Sequence, residues 1–365
     1  MRGRRFFFIG TEAELIKVFP VLEECRKRKL DYEVIASGQN DIVHSVILTK
    51  TGCARHVLEL SREADIKKSA RGLACWFFST YRRAGKKILH AFPDTDFKKS
   101  SMIVHGDTVS TLMGAWIGRN LGMKVCHIEA GLRSHHLLNP FPEEIDRLLT
   151  GRIARVHFAP GKEAVRNLKK AKGKVVDTRH NTLIDSLQYS LAVPAGKKIE
   201  SLLCSTYFVF VMHRQENLAR RPFLESVIKN VCSISQNMKC MLVLHEITKN
   251  SLEHFHLMQT VRACPNITLL PRTDYFDFMK LLSHAEFVIT DGGSNQEELF
   301  YMGKPCLIMR RTTERSEGIG KNAVLYGGRL DAMHEFADRH ACMKQNAVAA
   351  KIRPSVVIAD ELERL

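Results

Sequence analysis

Three acidic side chains stand where apolar segments of the sequence end. Asp107 and Glu129 each follow a strand-like apolar run, and Glu143 begins the helix-like segment that comes after Pro140 and Pro142. A single carboxylate at such a position is usually a helix cap or one half of a surface ion pair. Three of them at successive strand ends favour general acid and base groups, because ligands of open α/β sheets bind at that edge.

Cationic side chains accompany these acids. Arg147 comes four residues after Glu143, so the two share a face if this segment is a helix. In the second half of the chain, His213 and Arg214 close an apolar run. A histidine there is more often structural than catalytic, but an arginine beside it at a strand end suits a diphosphate.

A glycine turn follows a later apolar run, at Asp291-Gly292-Gly293-Ser294. Glycines that open a helix let backbone N–H groups approach phosphate oxygens, although most Gly-Gly pairs are plain turns. The sequence contains neither G-x-x-x-x-G-K-[ST] nor G-x-G-x-x-G, so neither a P-loop NTPase nor a standard dinucleotide-binding protein is indicated.

The elements that position these residues are strands alternating with helices along the whole chain. This pattern predicts βαβ units, and hence two Rossmann-like, doubly wound parallel sheets with an inter-domain cleft. We expect domains at 1–190 and 191–365, joined near 194–196, with helix from 332 onward whose last part could pack back on the first domain. The predicted strands are 6–9, 33–36, 101–104, 124–128, 156–158, 207–212, 241–244, 267–270, 287–290 and 306–309.

Composition narrows the class of protein. In the 365 residues, 55 Lys and Arg against 39 Asp and Glu give a net charge of +16, which attracts anions of any kind. The cations are spread along the chain without a recognised module, so nucleic acid is not an expected partner. No apolar run is long enough for a membrane helix or a signal peptide, and the ten cysteines mostly lie in apolar segments, as reduced core residues do. We expect a cytoplasmic protein.

Taken together, these segments resemble the UDP-N-acetylglucosamine 2-epimerase family of sugar-nucleotide enzymes, whose two Rossmann-like domains form a GT-B fold. The matching motifs cover nearly the whole chain as far as Gly327. In chain order they are Gly10-Thr11 with Lys17, His105-Gly106-Asp107-Thr108, Glu129 to Arg133, Pro142-Glu143-Glu144 with Arg147, His213-Arg214, Asp291 to Glu298, Gly303-Lys304-Pro305 and Thr312-Thr313-Glu314-Arg315.

The resemblance implies a reaction on a UDP-N-acetylhexosamine. The bound sugar loses its C2 proton and UDP, leaving 2-acetamidoglucal, and re-addition with the opposite C2 configuration gives UDP-N-acetylmannosamine. Some relatives hydrolyse the intermediate and release free N-acetylmannosamine. No NAD is needed, which agrees with the missing dinucleotide motif. We expect no cofactor and no metal, a role in surface polysaccharide biosynthesis, and a homodimer, because relatives are commonly dimers.

The resemblance also implies roles for individual residues. Four of them would act as catalytic groups around the sugar and the glycosidic oxygen: Asp107, Glu129, Glu143 and His213. The remaining ones would bind the substrate and its UDP: Lys17, Arg147, Arg214, His245, Gly292, Gly293, Ser294, Glu298 and Arg315. Cationic donors and a helix N-terminus near the leaving UDP would lower the barrier, because negative charge develops there.

The chain departs from the family's pattern at three places. Glu12 stands where the family has an arginine that helps to bind UDP, a charge reversal that could cost about 2–5 kcal/mol near phosphate. The hydroxyl of the Ser-Gly-Gly turn has moved to Ser294, and only Gln39 remains of the Gln-His-Arg segment linked to allosteric substrate binding. A hydrolysing epimerase and a GT-B glycosyltransferase that uses a UDP-sugar therefore stay open. A non-catalytic binding protein is disfavoured, because binding alone needs no acid/base set.

Overall fold

The computed structural model describes residues 2–54, 56–63, 69–134, 142–313 and 315–365. Pro140, used above for the predicted helix start, and the motif residue Glu314 lie outside this described part. The chain divides into two compact units. The first comprises Met1–Ser186 together with Ala350–Leu365, and the second comprises Leu187–Ala349.

The first unit is built on a seven-stranded sheet in the order β3-β2-β1-β4-β5-β6-β7, in which all neighbours are parallel. Its strands are β1 (Arg5–Ile9), β2 (Tyr32–Ala36), β3 (Val57–Glu59), β4 (Ser101–His105), β5 (Lys124–Ile128), β6 (Val156–Ala159) and β7 (Lys174–Asp177). The helices between them are α1 (Glu12–Lys27), α2 (Val46–Thr51), α3 (Ala70–Ala91), α4 (Val109–Asn120), α5 (Glu143–Ile153) and α6 (Lys162–Asn167). The boundary between the units falls within α7 (Leu183–Ala192).

The second unit is built on a six-stranded parallel sheet in the order β10-β9-β8-β11-β12-β13. Its strands are β8 (Tyr207–Val211), β9 (Lys239–Leu244), β10 (Ile267–Pro271), β11 (Val288–Thr290), β12 (Cys306–Ile308) and β13 (Ala323–Leu325). Its helices are α8 (Lys197–Glu200), α9 (Gln215–Leu218), α10 (Arg221–Ser235), α11 (Glu246–His254), α12 (Met258–Ala263), α13 (Tyr275–His284), α14 (Gly293–Met302) and α15 (Ala332–Arg339). A short 3₁₀ helix, His340–Met343, follows α15.

The last helix, α16 (Pro354–Glu363), belongs to the first unit. It packs against α1, and its Leu362 is buried. The Ser355 amide donates to Asp185 Oδ2 at 2.7 Å, and Arg28 pairs with Asp360 at 2.6 Å. The first unit is therefore assembled from residues at both ends of the sequence.

The central strands are apolar because helices cover both faces of each sheet. Phe6, Phe7 and Phe8 of β1 are all buried, although alternate side chains of a strand point to opposite faces. All five residues of β8 are likewise buried. Parallel strands bring their carboxyl ends to one edge of a sheet, so the segments after β1, β4 and β5 meet in the first unit, and those after β8, β9 and β11 meet in the second.

All ten predicted strands are present, and the predicted fold class, two parallel α/β sheets, is confirmed. The sequence did not reveal β3, β7 and β13, which are edge strands of three or four residues. Of the four edge strands in the described part of the chain only β10 was predicted, because a strand with a neighbour on one side alone gives a weaker apolar signal than a central strand.

The cysteines match the description as reduced core residues only in part. All ten cysteines are free, and five are buried. Three others, Cys75, Cys204 and Cys342, are exposed, so the description as core residues holds for half of the ten.

Among the described residues, no helix has both the length and the apolar character needed to span a bilayer.

Two helical glycines test how tightly α4 packs on the first sheet. A Cβ added at Gly114 would lie 2.6 Å from Phe8 Cγ, whereas one added at Gly85 in α3 would meet no atom within 4 Å. We expect Gly114→Ala to lower the free energy of unfolding by about 1–3 kcal/mol through overpacking. Gly85→Ala should raise it by about 0.5–1 kcal/mol, because alanine favours helix. Urea denaturation measures both, and equal effects would refute the close packing of α4 on β1.

Candidate active site

Glu129 is the most constrained acid of the first unit. It follows β5 with a φ of +63°, in the left-handed region that non-glycine residues rarely adopt, and its side chain is 7% exposed. Oε1 accepts a hydrogen bond from Lys17 Nζ at 2.6 Å and another from Asn181 Nδ2. His105 Nε2 lies 3.7 Å from Oε2. Three side chains from three segments of the chain thus fix the orientation of this carboxylate.

Asp107 lies on the turn after β4 and forms an ion pair with Arg147 of α5. Burial raises the pKa of Asp107 above its ordinary value, while the Arg147 guanidinium acts in the opposite direction. The charges of Glu129 and Glu143 raise the pKa of Asp107 further. The three predicted acids therefore belong to one electrostatic cluster, in which Glu129 and Glu143 both act on Asp107.

Glu143 opens α5, as predicted, and Pro142 occupies the N-cap position. One carboxyl oxygen of Glu143, Oε2, is buried without a hydrogen-bond partner in the described part of the chain. The next residue, Glu144, is fully engaged: it binds Arg133, accepts from the Ser134 amide at 3.0 Å, and lies 3.4 Å from the second guanidinium nitrogen of Arg147. Glu144 is therefore structural, whereas Glu143 keeps one oxygen without a donor in the described part of the chain.

Glu14 ties together two of the turns that carry this cluster. Its Oε2 accepts from the Gly10 amide at 2.7 Å, and its Oε1 accepts from the Thr108 hydroxyl at 2.5 Å. Burial raises the pKa of Glu14 to about 7, although both hydrogen bonds oppose this effect. Because Thr108 directly follows Asp107, the contact fixes the turn after β4 relative to the turn after β1.

Glu12, which replaces a family arginine, is also engaged. Its Oε1 accepts from the Ser45 hydroxyl at 2.9 Å, and its amide lies 3.4 Å from Asn40 Oδ1. The side chain thus stands in the first turn of α1, where a carboxylate is favoured by the helix dipole. This local stabilisation explains how the helix tolerates an acid at this position.

In the second unit, Asp291 organises the segment after β8. This fully buried carboxylate accepts from the backbone amides of His213 and Arg214, both at 2.9 Å, and from Asn217 Nδ2 at 3.0 Å. His213 Nδ1 lies 3.4 Å from Asp291 Oδ1. One carboxylate therefore fixes the backbone of His213 and lies close to its ring.

The ring of His213 also stacks on His245, with centroids 4.8 Å apart and planes 23° apart. Burial lowers the pKa of His245 to about 4, and nearby His213 and Arg272 add to this effect. His245 is therefore neutral at pH 7. It lines a pocket of about 650 Å³ beyond the carboxyl ends of β9 and β10, whose cationic side chains are Lys249 and Arg272.

The N-terminus of α14 requires glycine at its cap. A Cβ on Gly292 would lie 2.4 Å from Asn295 Oδ1 and 3.1 Å from His213 Cε1. Ser294 is exposed in the first turn of this helix, and Gly293 precedes it. Glu298, one turn further on, is buried and accepts from Asn295 Nδ2 at 3.0 Å. The turn therefore brings the helix N-terminus and His213 close together.

The two predicted UDP-binding arginines of the second unit, Arg214 and Arg315, both have carboxylate partners. Arg315 forms an ion pair with Glu297, and its carbonyl oxygen accepts from Gln296 Nε2 at 3.1 Å. Arg214 pairs with Glu216 at 2.8 Å on a more exposed part of the surface. A ligand phosphate would have to share or displace these carboxylates, and the roles of both arginines stay predictions.

The structure brings the predicted residues into two groups, one in each unit. Lys17, Asp107, Glu129, Glu143 and Arg147 share contacts or charge interactions in the first unit. In the second unit, contacts join His213 to His245 and Gly292. The described part of the chain holds no cluster of three His, Cys, Asp or Glu side chains that could bind a metal.

Four residues of these groups escaped prediction from the sequence: Glu14, His105, Asn181 and Asp291. Glu14, His105 and Asp291 lie within or beside the sequence motifs, and this position could have marked them as site residues. Their contacts could not be predicted, because the partners come from distant segments of the chain. Asn181 lies on the segment after β7, a strand that the sequence did not reveal, and nothing nearby marked it.

Comparison with solved structures defines the class of protein. A putative UDP-N-acetylglucosamine 2-epimerase from Listeria monocytogenes has a TM-score of 0.80 at 25% identity, covering 100% of this chain and 98% of that one. UDP-GlcNAc 2-epimerase from Neisseria meningitidis, solved bound to UDP-GlcNAc, has a TM-score of 0.78 at 24% identity, with both chains covered completely. The two parallel sheets are thus those of a GT-B α/β protein.

Sequence comparison identifies the family. A family model described as UDP-N-acetylglucosamine 2-epimerase matches residues 23–335, and the chain belongs to this family. A probable UDP-N-acetylglucosamine 2-epimerase from Ralstonia solanacearum is 31% identical over 347 residues, which are 90% of this chain and 88% of that protein. The enzyme from Methanocaldococcus jannaschii is 26% identical over 332 residues, 88% of this chain and 87% of its own. The resemblance seen in the sequence is confirmed.

Removal of the Asp291 carboxylate tests its organising role. We expect Asp291→Ala to lower the free energy of unfolding by about 2–4 kcal/mol, because three donors lose a buried charged acceptor. Asp338→Ala, at an exposed position of α15, should change it by less than about 0.5 kcal/mol. Urea denaturation followed by circular dichroism measures both. Equal values for the two variants would contradict the role of Asp291.

Glu298 predicts a pH dependence of stability. Burial raises its pKa from 4.5 to about 7, so the folded state binds a proton more tightly than the unfolded state. The stabilising contribution of Glu298 to the free energy of unfolding is present below about pH 4.5 and is lost as the pH rises through about 7. Between about pH 5 and 8, the free energy of unfolding should therefore fall less in Glu298→Gln than in the wild type. Glu253→Gln, exposed on α11, is the control and should follow the wild type.

Proposed function

We propose that the protein interconverts UDP-GlcNAc and UDP-ManNAc, or a related pair of UDP-amino-sugars, by elimination and re-addition of UDP. The observation that carries this proposal is the cluster of Asp107, Glu129 and Glu143 at the carboxyl edge of the first sheet, in a chain of this family. Inversion at C2 requires removal of a proton from one face and delivery of a proton to the other, so more than one acid/base group is needed.

In the elimination step, a carboxylate accepts the C2 proton, and the C2–H electron pair forms the C1=C2 double bond. The C1–O bond breaks, and UDP leaves with its electron pair. Glu129 suits a fixed carboxylate in this step, because Lys17 and Asn181 hold it in place. Re-addition of UDP at C1, with proton delivery to the other face of C2, completes the epimerisation. Asp107 suits the donor, because burial raises its pKa.

The second unit supplies the groups for UDP in this proposal. The ring of His213, whose backbone amide is held by Asp291, would face the glycosidic oxygen and the diphosphate. The N-terminus of α14 at Gly292 and Gly293 would stabilise the negative charge that develops on the leaving group. Further contacts would come from Arg214, His245, Ser294, Glu298 and Arg315. We thus propose residues 1–190 as the sugar side and 191–365 as the UDP side, apart from the last helix, α16, which packs in the first unit.

Related proteins support the choice of substrate. The Neisseria meningitidis enzyme was solved bound to UDP-GlcNAc, and the Methanocaldococcus jannaschii enzyme in complex with UDP-GlcNAc and UDP. A Staphylococcus aureus relative was solved with UDP. By extension from the family, we propose a homodimer in the cytoplasm that feeds surface polysaccharide synthesis without a cofactor.

Solvent isotope exchange tests the reaction. The protein is incubated with UDP-GlcNAc in deuterated water, and the products are followed by NMR. UDP-ManNAc that carries deuterium at C2 is expected. If free ManNAc and UDP appear instead, the protein catalyses the hydrolysing reaction rather than the non-hydrolysing one. UDP binding without turnover or exchange would overturn the epimerase and favour a transferase on the same fold.

Two substitutions test the assigned roles. We expect Glu129→Gln and His213→Ala to reduce turnover by at least about 10²-fold, because each removes a group that acts on a proton or on the leaving charge. Both variants should keep the circular dichroism spectrum of the wild type. Glu163→Gln, exposed on α6, is the matched control and should keep full activity. Rates within about twofold of the wild type in either site variant would contradict the mechanism.

A further inference from the structure

The side chain of Asn295 joins the turn before α14 to a buried carboxyl group of the same helix. Its Oδ1 accepts a hydrogen bond from the Thr290 hydroxyl at 3.1 Å, and its Nδ2 donates to Glu298 Oε2 at 3.0 Å. The Thr290 oxygen in turn accepts from the Gly292 amide at 3.0 Å. Three hydrogen bonds in series thus connect the end of β11, the turn and the first part of α14.

A carboxamide suits this place because it has an acceptor at one end and donors at the other. The acceptor end meets a hydroxyl, and the donor end meets a carboxyl group. Thr290 is fully buried and Glu298 is 2% exposed, so each would lose a partner that water does not readily replace. Asn295 is therefore the link through which these two buried groups keep a fixed position relative to each other.

Asn295 also occupies the space that a side chain at position 292 would need. A Cβ added to Gly292 would overlap Asn295 Oδ1 and would lie 3.1 Å from His213 Cε1. The φ of Gly292 is −78°, which any residue adopts, so these neighbours and not the backbone require glycine here. Gly292 and the Asn295 carboxamide therefore belong to one packing arrangement, which adjoins the ring of His213.

The groups around Glu298 make its hydrogen bond from Asn295 important. Burial raises the pKa of Glu298 to about 7, and the charge of Glu297 adds to this effect. Asn295 opposes the rise in pKa, and so do Tyr275 and Arg315. Arg315 is already paired with Glu297. A carboxylate in place of the carboxamide would therefore add negative charge to two glutamates that share one arginine.

We propose that Asn295 is a positioning residue of the UDP site. Its carboxamide holds the Gly292 turn, by way of Thr290, and the Glu298 carboxyl in one arrangement, so that both meet the same bound UDP. Asn295 acts through these partners, and no covalent bond changes at it. The inference rests on the proposed function, because that function places the diphosphate of the substrate at this turn.

Asn295→Asp is the direct test, because aspartate has the size of asparagine and still accepts from Thr290 but, when ionised, cannot donate to Glu298. We expect Kd for UDP, measured by isothermal titration calorimetry at about pH 8, to rise at least about tenfold, since two carboxylates would face each other beside the bound phosphates. Asn295→Ala, which removes both hydrogen bonds without adding charge, should raise Kd about three- to tenfold. Asn237→Asp, exposed before β9, is the matched control and should keep the wild-type Kd.

Gly292→Ala tests the link between the turn and the carboxamide. The added methyl group displaces Asn295, so we expect Kd for UDP to rise about tenfold. In the double variant Gly292→Ala/Asn295→Ala no carboxamide is left to displace, while the close contact with His213 is common to both variants. Kd of the double variant should therefore be no higher than that of Gly292→Ala. If the two single effects on Kd multiply instead, the positions are independent and the inference is overturned.

Steady-state kinetics with UDP-GlcNAc distinguishes a positioning role from a loss of fold. KM of Asn295→Ala should rise together with Kd for UDP, while kcat stays within about threefold, because the proposed proton-transfer groups lie in the first unit. A lower kcat with unchanged KM and Kd would overturn the inference. A Kd within about twofold of the wild type in Asn295→Asp would overturn it as well.

The proposed function fails on a different result. If the wild type binds UDP but neither turns over UDP-GlcNAc nor exchanges its C2 proton, the epimerase is overturned, and the Kd values of the variants still decide the role of Asn295. If the wild type binds no UDP, the proposed function and this inference are both overturned.

Discussion

The ion pair between Lys17 and Glu129 is the interaction on which the candidate site of the first unit depends. A carboxylate that is 7% exposed needs a cation or several donors, and Glu129 obtains both from α1 and from the segment after β7. This pair links the first βα unit to the fifth strand. The strained backbone of Glu129, with φ at +63°, persists because these contacts determine its position.

The second unit also contains a buried carboxylate that is held by hydrogen bonds, but this carboxylate has a different role. Asp291 is not a proposed reacting group. Its two oxygens accept hydrogen bonds from the backbone amides of His213 and Arg214, and it thereby fixes the segment after β8. In the first unit, one oxygen of Glu143 has no donor in the described part of the chain, whereas the Asp291 carboxylate of the second unit accepts from three donors. This contrast is consistent with proton transfer in one unit and charge stabilisation in the other.

The sequence predicted the central strands, since burial on both faces gives continuous apolar runs such as Phe6 to Ile9. It also predicted which acids follow the strands, because parallel topology brings strand ends together. It could not predict partners from distant segments. Glu14 contacts Thr108 across 94 residues, and Asn181 reaches Glu129 across 52. Nor could it reveal that Asn295 fills the space beside Gly292, because that depends on how the turn between β11 and α14 folds.

The position of α16 has a consequence for how the chain is made. The second unit is continuous in sequence and can close its own packing as soon as residue 349 is synthesised. The first unit is interrupted: its strands emerge early from the ribosome, but α16, which covers α1, emerges about 180 residues after β7. During translation, the face of α1 that α16 covers therefore stays exposed until α16 has been synthesised. Chaperones that bind nascent chains have access to this apolar face in the meantime.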